Sequence, residues 1–130
     1  MGRTVRLPND TYIANDLYST SERIVGKWIN GKPLYRKVIA ITTPTVATEG
    51  TFPTNKWIAT RLTNIDTIYI KNAFIVADNI KYNIPYITKS GGRLGIIINS
   101  TNDGMEVITN TTIFSNKNGY AILEYTKTTD

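Results

Sequence analysis

The chain contains neither cysteine nor histidine. Without cysteine it has no disulfides, no thiolate metal ligands and no thiol nucleophile. Without histidine it lacks the side chain that most often serves as a general base and as a metal ligand. Any catalysis would therefore depend on carboxylates, lysine, tyrosine or hydroxyl groups. The absence of cysteine also fits assembly in a reducing cytoplasm.

Long apolar runs are also absent from the sequence. No stretch approaches the ~20 residues that a membrane-spanning helix requires, and the cleanest run is Ile-Ile-Ile at 96–98. The two arginines near the N-terminus are not followed by an apolar segment, so no secretory signal is evident. We expect a soluble protein with no membrane span that does not use the secretory route.

The charge is positive but dispersed. Fifteen cations and ten anions give a formal net charge of +5. Proteins that bind nucleic acids usually concentrate their cations on one face and interleave them with stacking aromatics. Here the densest group is only Lys32 to Lys37. The pattern argues against a nucleic-acid partner and favours a solvated basic surface.

The composition predicts a sheet protein. Isoleucine and threonine dominate, and β-branched residues suit strands better than helices. Alternating runs predict strands at 56–62, 67–77, 81–88, 94–99, 105–109 and 120–126. Glycine and asparagine punctuate these runs. We predict an all-β fold: a single antiparallel β-sandwich, jelly-roll-like, over residues 18–130, with 120–126 as a central last strand. Residues 1–17 are interpreted as an N-terminal arm or linker.

A β-hairpin is predicted over residues 24–39. Asn30-Gly31 between two β-rich runs is typical of a two-residue type I′ turn, since both residues tolerate positive φ. That register places Trp28 opposite Pro33 and Gly26 opposite Tyr35, so the Tyr35 ring would cover the glycine. Both aromatic rings are expected to pack in the core.

Two segments resemble the signatures of a known module. Residues 18–22 read YSTSE and residues 25–37 read VGKWINGKPLYRK. This resembles the opening of a module that is widespread in structural proteins of tailed bacteriophages, often at their C-terminal ends. Residues 123–130 read LEYTKTTD, which resembles the strand on which that module closes. The two signatures bracket residues 18–130.

The resemblance implies a non-enzymatic virion protein, made in the bacterial host cytoplasm, that binds other virion proteins. A tail fibre, tail tip or baseplate component would contact the host surface, and homotrimers are common among such proteins. A head-side decoration or head-fibre protein that docks on the capsid is the first alternative. A carbohydrate-binding accessory module of a cell-wall hydrolase is the second. The chain is either a stand-alone protein or a domain of a longer one.

Aromatic residues are the best candidates for a contact surface. Tyrosine and tryptophan offer flat apolar faces to sugar rings or protein partners at low entropic cost. Packing inside the sandwich or within a trimer is the alternative for the same residues. The candidates for partner or receptor binding are Trp57, Tyr69, Tyr82, Asn83, Tyr86 and Arg93.

No catalytic residue, metal site or cofactor is predicted. Asn102-Asp103-Gly104 lacks the spread of oxygen ligands that a calcium loop requires, and Glu106 is too close to complete one. Ser90-Gly91-Gly92 is interpreted as a hairpin turn in preference to an anion site. A glycosidase needs two carboxyls across a cleft. The acids are scattered, and turns or strand surfaces account for them individually. Glu124, for instance, is placed on the outer face of the last strand.

Overall fold

The computed structural model describes residues 18–50, 52–99 and 101–130, so the predicted arm at 1–17 lies outside the described residues. The described part of the chain forms nine β-strands and one short 3-10 turn at Thr112–Phe114. The strands are β1 (Arg23–Lys27), β2 (Pro33–Thr42), β3 (Thr54–Ala59), β4 (Ile65–Ala77), β5 (Ile80–Asn83), β6 (Tyr86–Ile87), β7 (Arg93–Ile98), β8 (Gly104–Thr109) and β9 (Asn118–Lys127).

Two antiparallel sheets pack face to face, which confirms the predicted all-β sandwich. One sheet has five strands in the order β1-β2-β9-β4-β5, and the other has four in the order β3-β8-β7-β6. The last strand, β9, lies between β2 and β4 and is therefore central, as predicted. In each sheet an early strand pairs with a late one: β2 pairs with β9, and β3 pairs with β8. The hairpin β4-β5 and the meander β6-β7-β8 complete the fold.

One predicted strand is divided between the two sheets. The run at 81–88 becomes β5, which pairs with β4, and β6, which pairs with β7. Ile84 and Pro85 carry the chain from one sheet to the other. Pro85 has no N–H to donate to a ladder, so a continuous strand loses a bond at this position.

The predicted register of the first hairpin is wrong. Trp28 N donates to Lys32 O at 2.9 Å and Gly31 N donates to Trp28 O at 2.9 Å. Gly31 has a positive φ of 87°, whereas Asn30 is not among the positive-φ residues. This is a three-residue loop with glycine in the bulge position, not a type I′ turn. Because the loop has one residue more than predicted, Pro33 of β2 pairs with Lys27 instead of Trp28.

The shift changes the environment of both aromatic rings. Gly26 now lies opposite Leu34, and a second irregularity places Ile24 opposite Tyr35. Tyr35 packs against the edge of the core. Trp28 is half-buried and contacts Tyr69. The expectation of core packing therefore holds for Tyr35 but not for Trp28.

Alternation along each strand builds the core between the sheets. On β9, Ala121, Leu123 and Tyr125 are fully buried, and the residues between them lie on the opposite face of the sheet. Met105 and Val107 of β8 are equally buried and face them from the other sheet. Burying one large apolar side chain contributes about 1.5–3 kcal/mol. Both sheets thus have one face in the core and one outer face.

Among the described residues, no helix has the length and apolar character needed to span a membrane.

Candidate functional site

The structure separates the six candidate residues into three environments. Tyr82, Asn83 and Tyr86 lie where β5 crosses to β6, and Tyr69 lies on the outer face of the five-stranded sheet. Trp57 and Arg93 lie on the outer face of the four-stranded sheet.

The tyrosines at the crossover pack mainly against protein. The rings of Tyr82 and Phe114 are 4.9 Å apart in an edge-to-face arrangement, and those of Tyr82 and Tyr86 are 5.1 Å apart. Phe114 is fully buried. Tyr86 keeps 39% of its surface exposed, and Asn83 is exposed at the end of β5. This group closes one end of the sandwich.

Tyr69 belongs to a buried ion pair. Arg36 on β2 and Glu124 on β9 are Cα partners, and the guanidinium binds Glu124 Oε2 at 2.7 Å. The Tyr69 hydroxyl donates to Glu124 Oε1. Burial and this hydrogen bond raise the pKa of Tyr69 to about 12. Glu124 does lie on the outer face of its strand, but it is only 5% exposed, so it is not a solvated surface carboxylate.

Aromatic rings cover this ion pair. The Arg36 guanidinium lies 4.5 Å from the centroid of the Tyr18 ring, a distance typical of a cation–π contact. The Trp28 and Tyr69 rings are 5.7 Å apart. Tyr18 thus contacts the cation and Tyr69 the carboxylate, on a face that has no second sheet over it.

A second cluster joins the beginning of the domain to its end. We call it the terminal clasp, and it consists of Glu22, Tyr35, Tyr125, Lys127 and Asp130. The Tyr125 hydroxyl donates to Glu22 at 2.6 Å, and the Lys127 ammonium binds the same carboxylate at 2.6 Å. Tyr35 stacks on Tyr125 with ring centroids 5.7 Å apart and donates its hydroxyl to Asp130 at 2.7 Å.

Charge within the terminal clasp shifts the pKa values of its members. Burial alone would raise the pKa of Glu22. The hydrogen bonds from Lys127 and Tyr125, with the charges of Lys127 and Lys37, outweigh burial and hold that pKa below its usual value. Burial and the bond to Glu22 raise the pKa of Tyr125. The bond to Asp130 raises that of Tyr35. At neutral pH Glu22 is therefore ionised, and Tyr125 and Tyr35 keep their protons.

The residues of the two sequence signatures thus bind one another. Glu22 and Arg36 come from the opening signature, and they contact Tyr125, Lys127 and Glu124 of the closing one. Their polar groups are occupied inside the domain. We therefore assign these residues a structural role: they join the beginning of the described domain to its last strand.

The outer face of the four-stranded sheet has the opposite character. We call it the Trp57 face, and it comprises Asn55 and Trp57 of β3, Glu106 and Ile108 of β8, Arg93, Gly95 and Ile97 of β7, and Ile87 of β6. Large apolar side chains remain in solvent here: Ile87 is 71%, Trp57 55% and Ile97 49% exposed. Several exposed apolar side chains on one face of a sheet are typical of a contact site.

The indole of Trp57 has a defined seat on this face. It lies over Gly104, where an added Cβ would overlap its ring atoms Nε1, Cε2 and Cζ2. Across the strand pair, Trp57 is the Cα partner of Glu106. The amide of Asn55, two residues before Trp57 on the same face, donates to Glu106 Oε1. An indole, a carboxylate and an amide therefore stand side by side on an exposed edge of the sandwich.

A shallow apolar groove lies next to this group, and Ile97, the Cα partner of Glu106, is among its lining residues. Pro53, Pro85, Ile87, Ile97 and Ile108 line it, with Arg93 at one end. Its floor includes Gly95, whose missing side chain faces open space. The groove adds further apolar surface to the outer face of this sheet.

Among the described residues, no group of three or more acidic, cysteine or histidine side chains is placed to hold a metal ion. Asp103 instead accepts hydrogen bonds from Thr101 at 2.6 Å and Asn99 at 2.8 Å within its turn. These bonds lower the pKa of Asp103, in keeping with the turn interpretation.

Sequence reasoning singled out Trp57 and Arg93 but not Glu106, Asn55 or the isoleucines of the groove. Asn55 precedes the strand predicted at 56–62, and only the observed start of β3 at Thr54 places it on the same face as Trp57. Glu106 and Ile97 reach the same face only through the strand order β3-β8-β7, which no local pattern specifies.

No family model, curated protein or solved structure matches this chain.

Proposed function

We propose that this chain is a non-enzymatic structural module of a tailed-bacteriophage particle, part of a tail fibre, tail tip or baseplate, and that the Trp57 face is its contact surface. The phage assignment is carried by the resemblance of residues 18–37 and 123–130 to the opening and closing signatures of such modules. The mode of action is carried by one observation, the group of exposed apolar side chains on the Trp57 face, namely Trp57, Ile87 and Ile97.

The rigidity of the sandwich supports a role by contact. The two signature segments are tied together by the Arg36–Glu124 ion pair and by the terminal clasp. A rigid scaffold holds its exposed side chains in place, so little conformational entropy is lost when a partner binds. The Trp57 face lies on the four-stranded sheet, which contains no strand from either signature segment.

The test is binding of the labelled full chain to the bacterium that the parent phage infects. We expect wild-type protein to bind these cells and Trp57→Ala to lose most of that binding. Tyr120→Ala is the matched control, since Tyr120 is 46% exposed on the outer face of the other sheet. Equal binding by wild type and Trp57→Ala would contradict the proposed contact surface.

Location in the particle separates the tail role from the head role. Antibody labelling of intact particles should decorate the tail tip, fibre or baseplate, whereas labelling of the capsid would favour the head-side alternative. We also expect a homotrimer in solution. A stable monomer by light scattering would count heavily against a fibre component.

A further inference from the structure

We propose that Asn55, Trp57 and Glu106 form a subsite for a neutral pyranose, so that the ligand of the Trp57 face is a neutral polysaccharide. This inference rests on the proposed function and specifies the chemistry of the partner.

The first element is an apolar platform that is already in position. The Trp57 indole is seated on Gly104 and keeps more than half of its surface exposed. A pyranose ring has one face of C–H groups, which packs favourably against an aromatic ring. Because tryptophan has few rotatable bonds and this one is held by the sheet below it, ordering it on binding costs little entropy.

The second element is a fixed hydrogen-bond acceptor beside the platform. Glu106 lies directly across from Trp57 and is held by the Asn55 amide. Among the described residues, Glu106 has no ion-pair partner. A half-buried carboxylate held by one amide retains acceptor capacity for the hydroxyl groups of a sugar. Hydrogen bonds to a charged acceptor are stronger than those between neutral groups.

The sign of this charge selects among sugars. A carboxylate next to the platform repels uronates and phosphate-bearing sugars and accepts from neutral hydroxyls. Arg93 lies at the other end of the groove, four residues along β7 from Ile97, the Cα partner of Glu106. That offset corresponds to roughly 13 Å along a strand. Arg93 and Glu106 form no ion pair among the described residues.

A neighbouring groove offers further apolar surface to a longer sugar chain. Ile97, which lines this groove, is the Cα partner of Glu106 on β7. We therefore expect an oligosaccharide to bind more tightly than the corresponding monosaccharide, because additional rings bury more of this surface.

The experiment is a titration of the full chain by isothermal calorimetry against hexasaccharides. The neutral probes are hexamers of glucose, galactose, mannose and N-acetylglucosamine, and the anionic probe is a hexamer of galacturonate. We expect at least one neutral hexamer to bind, and to bind more tightly than the galacturonate hexamer, because Glu106 repels the uronate unit placed on Trp57. Equal or tighter binding of the galacturonate hexamer would overturn the selectivity. Trp57→Ala should weaken the neutral complex about tenfold or more, and Glu106→Gln should weaken it by a smaller factor. Tyr120→Ala should leave it unchanged.

A second variant keeps Trp57 but changes the residue on which its indole lies. Gly104→Ala places a methyl group where the ring now lies, so the ring must move. We expect Gly104→Ala to lose affinity for the neutral hexamer while its circular dichroism spectrum stays that of a sheet protein. Unchanged affinity in this variant, or in Trp57→Ala, would overturn the subsite.

The results also distinguish failure of this inference from failure of the proposed function. If Trp57→Ala abolishes binding to host cells but no neutral hexamer binds, the contact surface stands and the sugar assignment falls. If Trp57→Ala converts an oligomer into a monomer, the face is occupied by a second copy of the chain, and the subsite is again overturned. If wild-type protein binds neither cells nor sugars, both proposals fail.

Discussion

The terminal clasp and the Trp57 face use aromatic and charged residues in opposite ways. In the clasp, Glu22 receives both a phenol and an ammonium, and Tyr35 is stacked on a buried ring. On the Trp57 face, the indole has a glycine below it and solvent above, and Glu106 is held by one amide. In the clasp the polar groups bind one another, whereas on the Trp57 face the indole and the Glu106 carboxylate can still be contacted by a partner.

The difference indicates that the signature residues and the proposed contact surface lie in separate parts of the molecule. The residues that make the sequence resemble a known module are those that close the fold. Glu22, Arg36, Glu124 and Lys127 bind one another and so belong to the scaffold. The Trp57 face, by contrast, lies on a sheet to which neither signature contributes a strand.

The largest effect should come from the buried ion pair. Arg36→Met leaves the Glu124 carboxylate buried without the cation on β2. Removing one partner of a buried pair costs about 3–5 kcal/mol. We expect a loss of that size in the free energy of unfolding, measured by urea denaturation. The double variant Arg36→Met with Glu124→Gln removes both charges and should recover part of it. Wild-type stability in the single variant would show that the pair contributes little.

A smaller loss is expected when the clasp loses one hydrogen bond. Tyr125→Phe keeps the buried ring stacked on Tyr35 and removes only the hydroxyl that donates to Glu22. A hydrogen bond to a charged group contributes about 1.5–3 kcal/mol. Urea denaturation should show a decrease in that range. Tyr120→Phe on the outer face of the same strand is the control, and an equal decrease there would argue that the clasp has no special role.

The clasp should also make stability depend on pH. Glu22 has a lower pKa in the folded chain than its ordinary value of 4.5. Its stabilising contribution is therefore complete above that value and is lost as the pH falls through the lower, folded-state pKa. We expect the melting temperature to fall on acidification below about pH 4.5, and to fall less steeply in Glu22→Gln. Parallel curves for the two proteins would contradict the role of this carboxylate.

The smallest effect on stability should come from the Trp57 face. Trp57→Ala removes an exposed side chain seated on a glycine, so we expect a change below about 1 kcal/mol in the free energy of unfolding. Binding to host cells should nevertheless be lost. A destabilisation as large as that of Arg36→Met would mean that Trp57 is a structural residue and would remove the contrast between the two regions.

Several parts of the fold followed from local pattern. The strands around residues 67–77, 94–99 and 105–109 were predicted to within a few residues, because alternation and flanking turn residues are local properties. The first hairpin was located correctly but given the wrong register. Only Gly31 needed to adopt positive φ, and the choice between a two-residue and a three-residue loop depends on how the flanking strands twist and pair.

Composition and alternation were enough to predict the all-β class, because β-branched residues suit strands with one buried and one exposed face and penalise helices. The resemblance placed one signature at each end of residues 18–130 but did not predict which of their residues are in contact. Tertiary structure alone decided that Glu22 meets Lys127, that Glu124 is buried with Arg36, and that Glu106 stands beside Trp57. The physical reason is that strand order joins residues far apart in the chain. Local propensity carries no information about which strand will be a neighbour.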